Sequence, residues 1–403
     1  MSLRERTLEY LKERRQRILD GKINSIPTPF VRFENDFIGI EQSTYYCVTA
    51  STKGSKSQFT SFLFIYKALL YAYYGNKDIK ITIFYFPLEE TPERVLQRFM
   101  SFLLYDLTKG EVRISPRDLR SSVNNKPVSE EVLELLESDE VVDILNYFES
   151  NIIFSSESNP TGIYKFCKSY AEKHGTTYYK DVTIKDEFGI EKTIQSFDRY
   201  EMENTNEYRI IIIDTINLID TESGMNLKQS MDKLSEYLAK KLRNRYCFSP
   251  VVIQQQAFSG EDNEAFKLNR LEPSVSNSGD SKYISRDANI VLGLFSPFKF
   301  NISSYKGYDI TRFRDNIRFL SIMVNRDGEM GGVLPLYFDG AVCMFAELPK
   351  PDDTVELNKV YALLDKIRSK NTLLFTLSNK FSNRFAKSRI KNYLCSLFHI
   401  NKE

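Results

Sequence analysis

A lysine followed by a serine, Lys56-Ser57, stands in a polar turn between a short apolar run and a long one. The turn, residues 50–57, reads Ala-Ser-Thr-Lys-Gly-Ser-Lys-Ser and is similar to the phosphate-binding pattern Gly-x-x-x-x-Gly-Lys-Ser/Thr. In that pattern backbone amides and a helix N-terminus hold the phosphates, the lysine reaches the β- and γ-phosphates, and the hydroxyl binds Mg2+. The metal ligand is then Ser57, and the predicted nucleotide-binding residues are Thr52, Lys53, Gly54, Ser55, Lys56 and Ser57.

The turn departs from the pattern at its two glycines, which are replaced by Ala50 and Ser55, while a glycine stands at Gly54. The position before the lysine normally uses the freedom of glycine at positive φ. Ser55 therefore predicts either a strained loop or a shifted one. Taken alone the match is weak, because an ordinary turn rich in serine and lysine explains these residues about as well.

A carboxylate follows the most apolar strand-like run of the chain, Arg209-Ile-Ile-Ile-Ile-Asp214. Four isoleucines in a row predict a strand buried on both faces, as in the centre of a parallel sheet. Ligands of open α/β sheets bind beyond the carboxyl ends of such strands. Asp214 is therefore predicted to hold the Mg2+ of a bound nucleotide, directly or through water.

The elements around these residues alternate between strands and helices. Strands are predicted at 44–49, 79–86, 208–214, 250–255, 289–294, 318–325 and 334–338, and helices at 57–74, 91–107, 129–147, 227–242 and 354–369. This alternation predicts an α/β fold with a mostly parallel sheet covered on both faces. Residues 177–206 interrupt it with two strand-like runs around Asp186-Glu-Phe-Gly189, which predicts a β-hairpin insertion.

Several segments, in order along residues 20–348, together resemble the motor domain of DnaB-type replicative helicases, which are RecA-like P-loop NTPases. The segments are the lead-in at 18–28, the turn at 50–57, Tyr-Phe-Pro-Leu-Glu-Glu at 85–90, the strand and its continuation at 209–219, Val-Val-Ile-Gln-Gln-Gln at 251–256, Ser-Gly at 278–279 with 285–292, and 324–339. The resemblance implies three parts: a linker helix at 1–22, the RecA-like core at 23–349, and a small, basic, helical C-terminal extension at 350–403.

The resemblance also implies residue roles. Glu89 would polarise the attacking water, Gln256 would sense the γ-phosphate, and Arg326 would enter the neighbouring subunit's site as an arginine finger. Val324 stands where the family has a companion lysine, which implies weaker stabilisation across the subunit interface. The loop 258–282 would grip single-stranded DNA through phosphates, without reading sequence and with a strong salt dependence. The implied DNA contacts are Lys267, Arg270, Ser278, Gly279 and Lys282.

Composition excludes other classes of site. The 403 residues carry 55 basic and 54 acidic side chains, so net charge does not indicate nucleic-acid binding, although 366–402 is basic throughout. Five scattered cysteines without a Cys-x-x-Cys pair, and two histidines, argue against disulfides, zinc and histidine catalysis. No run approaches the ~20 apolar residues of a membrane helix, and no secretory signal is present. We expect a cytoplasmic protein without a membrane partner, in a bacterial host if a phage encodes it.

The favoured hypothesis is a replicative helicase motor that uses ATP, or another NTP, with Mg2+ to move 5′→3′ on single-stranded DNA as a hexameric ring. The polarity is implied by the resemblance alone. Two alternatives stay open: a RecA- or KaiC-like ATPase of recombination or regulation, and a catalytically weak subunit that binds nucleotide or DNA. The amphipathic helix at 2–20 must bury its apolar stripe on its own core or on a neighbouring subunit. A primase or a helicase loader is a candidate partner of the extension.

Overall fold

The computed structural model describes residues 2–75, 78–185, 191–257, 271–277 and 282–370. One predicted DNA contact, Lys282, is among them. The other four, Lys267, Arg270, Ser278 and Gly279, lie outside the described residues, as does most of the basic C-terminal segment.

Strands of the described residues form one large sheet and three small hairpins. They are β1 (Ser25–Pro27), β2 (Gly39–Glu41), β3 (Tyr46–Ala50), β4 (Lys80–Pro87), β5 (Ile152–Phe154), β6 (Gly175–Lys185), β7 (Glu191–Met202), β8 (Glu207–Asp214), β9 (Phe248–Gln255), β10 (Ile290–Phe295), β11 (Ser304–Tyr305), β12 (Tyr308–Asp309), β13 (Ile317–Asn325), β14 (Val333–Asp339) and β15 (Met344–Glu347). The large sheet has nine strands in the order β15-β14-β13-β10-β3-β9-β8-β4-β5. The strands from β10 to β5 are mutually parallel, and β13 to β15 add an antiparallel edge. The predicted α/β class with a mostly parallel sheet is confirmed.

Helices flank this sheet on both sides. They are α1 (Leu3–Leu19), α2 (Lys56–Thr60), α3 (Ala68–Tyr74), α4 (Pro92–Leu107), α5 (Pro116–Leu119), α6 (Glu130–Leu136), α7 (Asp139–Asn151), α8 (Pro160–Lys173), α9 (Leu227–Glu236), α10 (Asn244–Tyr246), α11 (Tyr283–Asp287), α12 (Ile310–Phe313) and α13 (Thr354–Lys370). Two π-helical segments, Ser61–Lys67 and Tyr237–Arg243, make α2 continuous with α3 and α9 continuous with α10. Single 3-10 turns lie at Val31–Phe33, Ile216–Leu218, Val275–Asn277, Pro297–Phe300 and Arg314–Asn316.

The isoleucines of β8 show how the sheet is buried. Ile210 and Ile212 face the core side covered by α2, α3, α4 and α7, whereas Ile211 and Ile213 face the side covered by α8, α9 and α11. Every residue of β8 is buried, because both faces of the strand are covered. Asp214 is the last residue of this buried strand, so it emerges at the carboxyl edge of the sheet.

The predicted hairpin forms: β6 and β7 pair as antiparallel strands on either side of residues 186–190. Several elements are absent from the sequence predictions, among them β5 and α8. Strand β5 has only three residues, too few to show a period, and α8 begins at Asn159-Pro160, where an asparagine cap and a proline in the first turn are typical of a helix start.

Helix α1 begins with a capping box between Ser2 and Glu5. None of its residues is buried, and Leu8, Leu11 and Ile18 expose about half of their surface, 49%, 54% and 55%. The apolar stripe of α1 is therefore not covered by the described part of its own chain.

Helix α13 confirms the helix expected at 354–369. Leu357 and Leu364 are buried against α12 and the antiparallel edge of the sheet, in a small core that includes Phe313. Among the described residues, no helix combines the length and the apolar character needed to cross a membrane.

Candidate nucleotide site

The turn between β3 and α2 is tightly closed at Gly54. Its amide donates to the carbonyl oxygen of Ser51 over 3.0 Å. A Cβ on Gly54 would lie 2.6 Å from the Cβ of Ala50 and 2.8 Å from the Ser51 oxygen, closer than side chains tolerate. The close approach that requires glycine is therefore at position 54, which explains the glycine there.

Ser55 adopts the left-handed conformation, with φ 68° and ψ 26°. The position before the lysine thus has the backbone that favours glycine, so the loop is strained and not shifted. The hydroxyl of Ser55 accepts hydrogen bonds from Nε and Nη2 of Arg318, over 3.3 Å and 3.1 Å. Arg318 is not a predicted site residue. Its signal in the sequence is an arginine within the apolar run Ile317-Arg-Phe-Leu, which predicts a buried cation with a dedicated partner.

Lys56 begins α2, and its ammonium group turns back over the loop. Its Nζ donates to the carbonyl oxygens of Ala50 and Ser51, at 3.3 Å and 3.0 Å. A cation placed over a turn whose amides open toward a helix N-terminus provides the charge and the donors that bind phosphate.

Ser57, Asp214 and Tyr85 form the centre of the site. The hydroxyl of Ser57 donates to Oδ1 of Asp214 over 2.7 Å, and the phenol of Tyr85 donates to Oδ2 over 2.8 Å. Burial raises the pKa of Asp214 above its ordinary value, and these two hydrogen bonds and the charge of Arg98 oppose the rise. The structure brings together Ser57 and Asp214, the two residues that the sequence predicts as metal ligands. Tyr85 has no predicted role.

These oxygens fit a magnesium ion that is shared with a nucleotide. Mg2+ prefers hard oxygen ligands and keeps several of its positions for water and phosphate. A serine hydroxyl and one carboxylate supply two such ligands. The described residues contain no group of three or more His, Cys, Asp or Glu that could hold a metal ion, so Ser57 and Asp214 need phosphate oxygens and water to complete a site.

Glu89 stands beside Asp214 at the end of β4. Pro87 is paired with Asp214 across the sheet, and the amide of Leu88 donates to the Asp214 carbonyl oxygen over 2.9 Å. Glu89 is exposed, and its charge contributes to the raised pKa of Asp214. Its neighbour Glu90 is instead held by Arg98, whose Nη1 lies 2.6 Å away. Glu89 is therefore the glutamate of this pair that is free of an ion-pair partner in the described structure and faces solvent near the carboxylate.

Two solved structures share this arrangement of elements. One, the ATPase domain of a phage helicase, matches with a TM-score of 0.59 and 14% identity over 86% of this chain and 99% of that chain. The other, a DnaB-like replicative helicase studied for its interactions with primase, matches with a TM-score of 0.55 and 14% identity over 87% of this chain and 67% of that chain. The chain has the RecA-like fold of DnaB-type helicase motors. No protein-family model and no curated protein matches the sequence.

In this DnaB-type fold, the two glutamines at the end of β9 have different surroundings. Gln256 is buried, and its Nε2 donates to the hydroxyl of Thr49 over 2.8 Å, beneath the loop. Gln255 is partly exposed, and its Nε2 donates to the hydroxyl of Thr52 over 2.6 Å. Gln255 is therefore the glutamine that contacts the outer part of the phosphate loop, although the sequence prediction chose Gln256.

Arg326 is exposed and lies at the opposite edge of the DnaB-type sheet. Strand β13 is antiparallel to β10, so it begins beside the carboxyl edge and ends at the amino edge, where Asn325 pairs with Ile290. Nine residues of strand cover about 26 Å. The structure therefore does not bring Arg326 and Lys56 of one chain together. Val324, whose side chain carries no charge, packs against the apolar core under α8 and α9.

Lys282 is exposed at the start of α11, the one predicted DNA contact that the structure describes.

A second arginine accompanies Arg326 at its edge. The guanidinium of Arg243 donates to the Asp287 carbonyl oxygen over 3.0 Å and to Asn289 over 2.6 Å, while the Arg326 amide donates to the Asn289 carbonyl oxygen over 3.1 Å. Burial, and then the nearby charge of Arg326, lower the pKa of Arg243.

Proposed function

We propose that this chain is the motor of a replicative DNA helicase, a hexameric ring that hydrolyses ATP or another NTP to move 5′→3′ along single-stranded DNA and to unwind duplex. One observation carries the proposal. Lys56 and Asp214 stand at the carboxyl edge of the sheet, and the exposed Arg326 stands at the amino edge. One copy cannot bring these residues together, whereas a head-to-tail arrangement of copies can, and such interfaces form a ring where the rotation between copies closes.

The residues at the carboxyl edge have the groups that phosphoryl transfer needs. Lys56 and the loop amides would bind the phosphates, and Ser57 and Asp214 would hold the magnesium ion. When bound, Mg2+ neutralises charge on the β- and γ-phosphates. Glu89 would accept a proton from the attacking water, because it is exposed next to Asp214. Gln255 would register the γ-phosphate through its contact with Thr52.

The amino edge would complete the site of the next subunit. Arg326 would stabilise charge on the transferring phosphoryl group as a finger in trans. Arg243, fixed beside it by hydrogen bonds, adds positive potential at the same edge and offsets the loss of the lysine at Val324. Two neighbouring cations repel each other, and a nearby anion relieves this repulsion. The pair of arginines therefore supports an anionic ligand at this edge.

The exposed apolar face of helix α1 is a second observation in favour of the ring. The second half of the helix is tied to its own core by polar contacts: Nη2 of Arg14 lies 3.0 Å from Glu41, and Nη2 of Arg17 donates to the Ile23 carbonyl oxygen over 2.9 Å. Its apolar face is not covered by the described part of its own chain, and a neighbouring copy would cover it. We therefore assign residues 1–22 as a linker helix that docks on the next subunit, residues 23–349 as the motor, and residues 350–403 as an extension that would contact a primase or loader.

Single-stranded DNA would pass through the centre of this ring. The loop that follows β9 and ends at Lys282 would contact its phosphates. Binding through phosphates is indifferent to sequence and weakens steeply with salt. Such a motor would work in the cytoplasm of a bacterial cell, where replication takes place.

The first experiment is hydrolysis of ATP and of GTP with and without single-stranded DNA, in the wild type, Lys56→Ala and Arg326→Ala. We expect hydrolysis that DNA stimulates and that both substitutions abolish. Mixing the two inactive variants should restore activity, because about a quarter of the sites in random rings combine an intact loop with an intact arginine. A global folding defect would not be rescued in this way.

Other outcomes separate the alternatives. Hydrolysis that is lost in Lys56→Ala and kept in Arg326→Ala would leave an ATPase, such as a RecA- or KaiC-like regulator, and would remove the finger role of Arg326. Absence of hydrolysis in folded wild-type protein with every nucleotide and DNA tested would exclude the motor and favour a subunit that only binds.

A further inference from the structure

Ser55 occupies a backbone conformation that residues with a Cβ rarely adopt. Its φ of 68° places it in the left-handed region, directly before Lys56 and the first turn of α2. A glycine would take this conformation without steric cost, whereas a serine needs surroundings that impose it. Because the direction of the chain at Ser55 sets the direction of Lys56 and of the α2 amides, whatever fixes Ser55 also fixes the phosphate loop.

The side chain that contacts Ser55 is a fully buried arginine. Arg318 exposes 1% of its surface, and its guanidinium carbon lies 4.3 Å from the centre of the Phe338 ring. All five N–H groups of the guanidinium have acceptors. Nη1 donates to the carbonyl oxygens of Asp315 and Ile317, both at 2.8 Å, and Nη2 donates to Oδ1 of Asp315 at 2.8 Å. The remaining donors, from Nε and Nη2, point at the Ser55 hydroxyl.

The position of Arg318 in the fold makes this contact rigid. Arg318 is the second residue of β13, which is hydrogen bonded to both β10 and β14. Because β13 is antiparallel to β10, its first residues lie at the carboxyl edge of the sheet, where β3 enters the phosphate loop. The guanidinium therefore ties the loop to a strand of the antiparallel edge, 263 residues away in sequence.

We propose that Arg318 is a positioning residue that holds the phosphate loop in its nucleotide-binding conformation by fixing the hydroxyl of Ser55. The serine replaces a glycine, and the arginine supplies the restraint that makes the replacement tolerable. The nucleotide part of this inference rests on the proposed function. The conformational part does not, because the loop is held whether or not a nucleotide is bound.

Two substitutions of Ser55 separate the hydroxyl from the backbone. Ser55→Ala removes the acceptor and keeps the Cβ, so the loop should lose its restraint while its unfavourable conformation remains. Ser55→Gly removes the acceptor and the steric cost together. We expect Ser55→Gly to bind Mg-ATP about tenfold more tightly than Ser55→Ala, a difference of ~1.4 kcal/mol. Equal affinities of the two variants would overturn the proposal.

Arg318→Met tests the other partner. In the Ser55 background it should weaken Mg-ATP binding about tenfold, and in the Ser55→Gly background it should weaken binding less than threefold, because no hydroxyl is left to hold. A cost that is equal in both backgrounds would mean that Arg318 acts elsewhere. Arg209→Met is the matched control: it removes another buried arginine, paired with Glu207 at the amino end of β8, far from the loop.

Hydrogen exchange of nucleotide-free protein keeps this test independent of the proposed function. The amides of residues 54–57 should exchange about tenfold faster in Arg318→Met and Ser55→Ala than in the wild type, and no faster in Arg209→Met. Fast exchange in a protein that binds no nucleotide would support the restraint and exclude the motor. Unchanged exchange in both loop variants would exclude the restraint, whatever the protein binds.

Discussion

Nε2 of Gln255 donates a 2.6 Å hydrogen bond to the hydroxyl of Thr52 in the phosphate loop. The next residue, Gln256, points to the other side of the strand and donates to the buried hydroxyl of Thr49. Successive side chains of a strand alternate between its faces, so only one of the two can meet the loop surface. The contact with Thr52 gives Gln255 a route by which a change at the γ-phosphate would reach β9.

Gln255→Ala and Gln256→Ala should therefore fail in different ways. We expect Gln255→Ala to lower kcat for ATP by about 10²-fold, the scale of losing one donor aimed at developing charge. Gln256→Ala leaves the Thr49 hydroxyl buried without its partner, which should lower the free energy of unfolding by about 1–3 kcal/mol. Steady-state kinetics and urea unfolding measure both effects. The reverse partition would return the γ-phosphate role to Gln256, the residue that the sequence predicts.

Asp214→Asn should make the protein more stable and inactive. Burial raises the pKa of Asp214 above its ordinary value of 3.8, so between these two pKa values the folded state holds a proton that the unfolded state has released. The free energy of unfolding therefore falls as pH rises from 3.8 through the raised pKa, and the ionised carboxylate costs stability at pH 7. We expect Asp214→Asn to gain about 1 kcal/mol at pH 7 without Mg2+, while hydrolysis is lost. A loss of stability at pH 7 would contradict this account.

Glu207 should show the opposite dependence on pH. Burial by itself would raise the pKa of this carboxyl. Hydrogen bonds from Thr82 and Arg209 outweigh that effect and lower the pKa to about 2. The carboxylate therefore stabilises the fold above its ordinary pKa of 4.5, and this contribution is lost as pH falls from 4.5 towards 2. Glu207→Gln should lower the free energy of unfolding by about 3 kcal/mol at pH 7, since it leaves Arg209 buried without its carboxylate. The deficit should shrink when unfolding is measured at pH 3.5; a deficit that is independent of pH would sink this assignment.

The sequence predicts those parts of the fold and site that depend on neighbouring residues. Periodicity places the central strands and long helices to within a few residues, and the spacing of Lys56 and Ser57 with the run before Asp214 predicts two residues that the structure joins. It does not predict Arg318, because the contact with Ser55 depends on the antiparallel direction of β13, which is a property of the whole sheet. The choice between Gln255 and Gln256 also depends on more than the sequence around them. The period of two in a strand puts Gln255 and Gln256 on opposite faces, but it does not show which face meets the loop.

The exposed stripe of α1 gives a test of the ring that leaves the nucleotide site untouched. Leu11→Glu places a charge in the apolar face, which should prevent docking on a neighbour because burying an unpaired carboxylate is costly. Helical periodicity puts Glu9 on a different face, so Glu9→Gln is the matched control. We expect Leu11→Glu to reduce the hexamer to smaller species in sedimentation velocity and to lower DNA-stimulated hydrolysis, while the thermal midpoint of isolated subunits stays within about 2 °C, as befits an exposed position. Hexamers of normal activity in Leu11→Glu would mean that α1 does not form the interface. None of the residues of α1 is buried by the described part of its own chain. A fall in the thermal midpoint of isolated Leu11→Glu subunits would therefore also contradict the docking role.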